Sequence, residues 1–151
     1  MFTAWFASGI VMIYVPFPSL SDAERIERAE VVDISNITSL SEPFIATGID
    51  TASRIRLLQY QSRPILIAED YSNNSVAVFA DSSELVPTLT AADSQNISEN
   101  FSDAPIVSIS DPIMYDQWIV HDRFDPYRPF FRVELGDENR THIYISAKTT
   151  E

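Results

Sequence analysis

The segment His121-Asp122-Arg123-Phe124-Asp125 places an imidazole beside two carboxylates, a combination able to hold a metal ion or relay a proton. Its spacing fits no dedicated zinc pattern, and between strands such a cluster reads as a solvated turn. A Ser-His-Asp constellation would need a nucleophile elbow, and none is legible. Zero Cys excludes thiolate catalysis, disulfides and Cys-ligated zinc or iron–sulfur clusters. The three glycines, Gly9, Gly48 and Gly136, lie too far apart to form a phosphate cradle. A second group is more suggestive. Arg128 and Arg132 stand four apart in a segment read as a strand, so they share a face, with Trp118 in the strand before. That face suits a carboxylate clamp or stacking on an aromatic ligand. The competing reading pairs the arginines with Asp116 or Glu134 and packs Trp118 in the core. Asp116, Gln117, Trp118, Arg128 and Arg132 are the candidate interaction face. No catalytic, cofactor-binding or metal-binding residue is assigned.

These residues sit in a chain of 151 residues, enough for one ordinary domain or two very small units sharing a core. A hydrophobic content of 45% with 21% charged residues is that of a folding chain. Ten Lys and Arg against 22 Asp and Glu give a net charge of -12, which repels phosphate backbones, so nucleic acid is not a partner. The charge is uneven. Between Arg63 and Arg123 no basic residue occurs, while Glu69, Asp70, Asp81, Glu84, Asp93, Glu99, Asp103, Asp111, Asp116 and Asp122 all fall there. Such a stretch reads as a solubilising face, the alternative being a site for a cation or a basic partner.

The elements that must position the candidate face follow from periodicity. Ser41-Glu42-Pro43 predicts a helix start, with Gly48 as its stop. Ile55–Tyr60, Pro64–Ala68 and Val76–Ala80 predict an antiparallel meander with turns at 61–62 and 70–74. Thr90-Ala91-Ala92-Asp93 is a capping box opening a helix to about Phe101, with Ala92, Ile97 and Phe101 as its apolar side. Strands are expected at Ile106–Ile109, Gln117–Val120, Phe130–Leu135 and His142–Ser146, the last two joined by a hairpin turn at 136–139, with His142 facing water. A shift of about 65 positions lays Arg63-Pro64 on Arg128-Pro129, Glu69 on Glu134, Asn74 on Asn139, Val78 on Ile143 and Phe79 on Tyr144. A duplicated helix-plus-meander unit would produce this, with 111–127 lacking a counterpart in the first copy.

The first 21 residues carry no charged side chain, and Phe2–Val15 is strongly apolar before Pro16 and Pro18. A helix ending at Val15 would be about 22 Å long at 1.5 Å per residue, short of the roughly 30 Å hydrocarbon core. The favoured reading is the C-terminal part of a transmembrane helix, with Tyr14 near the interface. A secretory signal and a buried helix are its rivals, the former lacking a basic start and a cleavage site. Ser21-Asp22-Ala23-Glu24 predicts a short juxtamembrane helix to about Ala29. The flank carries only Arg25 and Arg28, no positive cluster, which favours an extracytoplasmic side.

Two stretches resemble membrane proteins that carry PepSY domains with associated transmembrane helices. WFASGIVMIYVPFPSLSDAERI, Trp5–Ile26, is similar to the end of that family's first membrane helix. DQWIV at Asp116–Val120, followed by RPFFRVEL and IYISAKTTE, is similar to the end of a PepSY unit. Lys148-Thr149-Thr150-Glu151 departs from the family's Thr-Gly-Glu turn, Thr150 standing where Gly would. The resemblance implies an α+β fold of two PepSY-like helix-plus-antiparallel-sheet units, 39–86 and 87–151, after a truncated transmembrane helix, 1–15, and a juxtamembrane helix and linker, 16–38. It implies a bacterial inner-membrane protein with this part in the periplasm, acting as a non-catalytic module on a partner or on its own chain. Its partners would be the lipid bilayer, other transmembrane helices of the same protein and, in one variant, a peptidase that it regulates. In another variant the chain is the periplasmic part of a haem-dependent ferric-siderophore reductase serving iron uptake. Haem would then be held by membrane histidines, and no position of this sequence matches them.

Overall fold

The switch from helical to alternating periodicity is realised twice along the chain. The computed structural model describes Glu27 and residues 29–151. Helix α1 (Ser41–Ala46) is followed by strands β1 (Ala52–Tyr60), β2 (Arg63–Asp70) and β3 (Ser75–Phe79). Helix α2 (Ala91–Phe101) is followed by β4 (Ile106–Ile109), β5 (Phe130–Leu135) and β6 (His142–Ser146). Each trio forms an antiparallel sheet in chain order. The α+β class is therefore observed as two helix-plus-three-strand units. The apolar run, and the Ser21 capping box with nearly all of its helix, lie outside the described residues. Among the described residues no helix is long and apolar enough to cross a membrane.

Local chemistry accounts for the element ends. Gly48 terminates α1 at φ +69°, in the left-handed region, its N–H donating to Ile45 O at 3.0 Å. Gln61 and Ser62 both have positive φ, 50° and 61°, as a two-residue hairpin between β1 and β2 demands. The capping box closes as expected: Thr90 Oγ1 accepts from the Asp93 N–H at 3.3 Å, and Asp93 Oδ2 accepts from the Thr90 N–H at 2.8 Å. Those bonds from Thr90 hold the Asp93 carboxyl below the ordinary carboxylate range.

The face that α2 buries differs from the expected one. Ala92 is exposed, and the fully buried positions are Ser94 and Ser98, with Ile97 and Phe101 half-buried beside them. Each hydroxyl turns back onto its own helix, Ser94 to Thr90 O at 3.2 Å and Ser98 to Ser94 O at 2.9 Å. Small side chains with internally satisfied hydroxyls let α2 approach the β-structure closely. Ile97 packs both on the cluster of Leu89, Phe131, Val133, Leu135, Ile145 and Ala147 and on that of Tyr60, Ile65, Ile67, Ala77 and Phe79. A single helix thus joins the two sheets. The other face of the first sheet, Leu66, Ala68, Val78 and Ala80, is covered by Ile37, Phe44 and Ile49.

Several backbone bonds at the turns and strand ends recur in both units. Ala80 N donates to Pro64 O at 2.8 Å, and Ala147 N donates to Pro129 O at 2.8 Å. Asp70 N to Asn74 O at 3.0 Å matches Leu135 N to Thr141 O at 2.9 Å, and Phe79 N to Glu84 O at 2.8 Å matches Ser146 N to Glu151 O at 2.6 Å. Positive φ recurs at Asn73 and Arg140 and at Ser83 and Thr150. The offset is 65 through β2 and β5 but 67 from β3 and β6 onward, because Ile65 faces Phe79 whereas Phe130 faces Ser146. Val78 therefore corresponds to Ile145 and Phe79 to Ser146, two residues beyond the Ile143 and Tyr144 expected, the second hairpin being longer by that amount. With this offset Leu66, Ala68, Val78 and Ala80 superpose in role on Phe131, Val133, Ile145 and Ala147, all buried and each set covered by the helix of its own unit.

Thr150 adopts φ +66°, a conformation that a β-branched residue enters at a cost of roughly 1–2 kcal/mol and glycine enters freely. Thr150→Gly is expected to raise unfolding stability by about 0.5–1 kcal/mol, the gain being trimmed by glycine's freedom in the unfolded chain. Urea midpoints of the two proteins test this, and an unchanged or lower midpoint contradicts a left-handed residue 150.

Candidate functional site

The units differ on one face. Where the first sheet presents Ile65, Ile67, Ala77 and Phe79, the equivalent positions of the second are Phe130, Arg132, Tyr144 and Ser146. Among the described residues no third α-helix covers this face. The connection 110–128 does so instead, starting along β5, where Ser110 N donates to Arg132 O at 3.0 Å and Ile113 and Phe130 exchange bonds at 2.8 and 2.9 Å. It returns through a 3-10 turn, Asp122–Tyr127, whose Phe124 meets Phe130 edge-to-face at 6.3 Å.

Arg128 fixes this connection. It is 3% exposed and lies just before β5, not on it, ahead of a cis peptide to Pro129. Its Nε donates to Asp125 Oδ1 at 2.8 Å, Nη2 to Ile119 O at 2.5 Å and Nη1 to Met114 O, and its guanidinium stacks on Tyr115 at 4.3 Å. One planar fork thus binds three separated points of the chain, which a lysine ammonium does not reproduce. The repeat explains why. In the first unit Arg63 binds Asp81 at 2.9 and 2.6 Å and stacks on Phe79 at 3.8 Å. The position equivalent to Asp81 is Lys148, a like charge, so Arg128 has no partner there and turns into the connection.

Arg132 points out from β5 and donates to Asp116 Oδ2 at 3.1 Å. Burial works against ionisation of Asp116, but the Tyr144 hydroxyl, Arg132 and the Trp118 amide outweigh it and hold the carboxyl below its ordinary value. Burial and then Asp116 push the Tyr144 phenol up to about 12.

Of the candidate face, then, the structure joins Asp116 to Arg132 and to the Trp118 amide, while Arg128 turns into the loop. Arg128 and Arg132 do not share a strand face, since the strand begins at Phe130. Gln117–Val120 is not a strand: Gln117 and Trp118 form a turn, Ile119 is buried, and Gln117 is exposed. Trp118 is 39% exposed rather than packed in the core. The physical reason is the hold of Arg128 on the Met114 and Ile119 carbonyls, which curls this apolar stretch into a loop instead of letting it pair.

A second polar cluster joins the units and was not visible in the spacing. Arg56 on β1 ion-pairs with Glu151 and donates to the Tyr127 hydroxyl at 3.2 Å, and that hydroxyl donates to Glu69 Oε2 at 3.0 Å. The Arg56 guanidinium also lies 5.3 Å from the Tyr127 ring centre, and Ser146 Oγ donates to Tyr127 O at 2.6 Å. Burial chiefly, and the Glu69 carboxylate, raise the Tyr127 phenol against the opposing pull of Arg56.

His121, Asp122 and Arg123 line, with Val120, a shallow depression of about 320 Å³. Among the described residues no group of three or more His, Asp or Glu side chains could hold a metal ion. The chain's two histidines, His121 in the loop and His142 at the start of β6, are both exposed. No protein-family model matches the chain, and neither a curated protein nor a solved structure is similar to it.

Two outcomes follow from this geometry. Arg128→Ala strands the Met114 and Ile119 carbonyls and is expected to cost about 2–4 kcal/mol, with proteolysis appearing first between residues 114 and 120. Cleavage elsewhere first would contradict the anchoring role. Tyr144 is neutral when protonated and its folded pKa is raised, so its contribution is complete below pH ~10 and is lost as pH climbs to about 12. Tyr144→Phe should flatten that alkaline decline of the urea midpoint; an identical slope would exclude the buried phenol as its source.

Proposed function

We propose that this chain is a non-catalytic extracytoplasmic PepSY module of a bacterial inner-membrane protein, acting on a partner or on the rest of its own polypeptide. The observation that carries the reading is the repeat of a helix-plus-meander unit with matching turn bonds, ending in a left-handed residue where the resembled family places glycine. The charge-free apolar stretch Phe2–Val15 supports attachment to the bilayer, and the -12 charge supports a water-facing body that does not bind anionic surfaces. The polar side chains that gather in the second unit serve the fold: Arg128 organises a loop, and Arg132 with Asp116 secures it. What remains for function is surface.

Expression, in a Gram-negative bacterium, of the protein with its complete first membrane helix and alkaline phosphatase fused after Glu151 tests the location. Phosphatase activity in the inner-membrane fraction is expected, and deletion of that helix should leave the fusion inactive in the cytosol. A fusion that is inactive, or soluble with the helix in place, would defeat the proposal. In the full-length protein, a haem absorption band lost with membrane histidines would favour the siderophore-reductase variant, and inhibition of a peptidase would favour the regulatory one.

A further inference from the structure

The loop 114–120 is unusual for a segment so firmly held. Met114 is 50% exposed, Tyr115 71%, Trp118 39% and Val120 58%, on a backbone whose carbonyls at 114 and 119 are fixed by the buried Arg128. Large apolar side chains presented by a rigid backbone are the features of an interface anchor, because little ordering remains to be done on binding. The surrounding charge narrows the occupant. Asp111 and Asp122 are exposed on the same connection against Arg123, Asp125 being paired with Arg128, and the chain as a whole carries -12. An anionic bilayer is repelled by that balance, whereas a polypeptide with apolar side chains flanked by Lys or Arg is attracted.

We infer that Met114, Tyr115, Trp118 and Val120 form the docking surface of this chain for a basic, apolar segment of a partner protein. The inference rests on the interaction-module reading and names the chemistry of the partner. Tyr115 is the anchor nearest Arg128, and the acidic rim selects partners by charge and speeds their approach.

The full chain in nonionic detergent, carrying Trp5→Phe so that Trp118 is its sole tryptophan, serves as the reporter. It is titrated with a synthetic peptide of alternating Leu and Lys, with Leu–Glu and Ser–Lys peptides alongside, and with phosphatidylglycerol vesicles. A saturable blue shift of Trp118 emission with the Leu–Lys peptide alone is expected. Met114→Ser with Val120→Ser should weaken that binding about tenfold at unchanged melting temperature, since both side chains are exposed. Wild-type affinity in the double variant would overturn this surface while leaving the module reading standing, as a second site would then carry binding. No shift with the Leu–Lys peptide, a shift with the vesicles, or a concentration-dependent shift of the protein alone would each overturn the proposal.

Discussion

Neither sheet of this protein is large enough to stand alone, and the structure depends on their sharing one helix. A three-stranded sheet becomes stable only when an apolar face is covered. In the first unit both faces are apolar, one covered by α1 and the residues around it, the other completed by Ile97 of α2. The same Ile97 completes the core of the second unit. Ser94 and Ser98, fully buried yet bonded within their own helix, make this sharing feasible by keeping α2 slim without leaving a hydroxyl unsatisfied. The capping box at Thr90 and Asp93 fixes where that helix begins, and Gln61 Nε2 reaches Asp93 Oδ1 at 3.2 Å from the β1–β2 turn, tying the helix start to the first sheet.

The second sheet departs from the first where it exchanges Ile67 and Phe79 for Arg132 and Ser146, and the connection 110–128 folds over the altered face. A polar outer face is how stacked units are closed off from further association. The exchange of Asp81 for Lys148 is part of the same change, since it redirects an arginine from a hairpin partner to loop carbonyls.

What could be read in the sequence was local. Both hairpins, the Thr90 box, the Gly48 stop and the exposed His142 depend on residues a few positions apart, and all appear where expected. The loop at 117–120 was misread because Trp118-Ile119-Val120 has strand composition, and the bonds that bend it come from Arg128, nine residues from Ile119. The two-residue lengthening of the second hairpin relative to the first was hidden because alternation looks the same after a shift of two. Arg56 and Glu151 stand 95 positions apart, and no periodicity relates an arginine on one strand to a glutamate after another. Arg56, alternating with Leu58 and Tyr60 along β1, was a sign that a partner had to arrive from elsewhere.

The meeting of Arg56 with Glu151 has a mechanical consequence. The turn after β6 is fastened to the opposite unit as well as to its own, through Tyr127 and Glu69 at one corner and Ile97 at another. Two fastenings at separate corners resist twisting in a way that one hinge does not. A load applied at residue 151 is therefore passed sideways into β1 and shared by both sheets, and the pair answers torque as one stiff block instead of unwinding strand by strand.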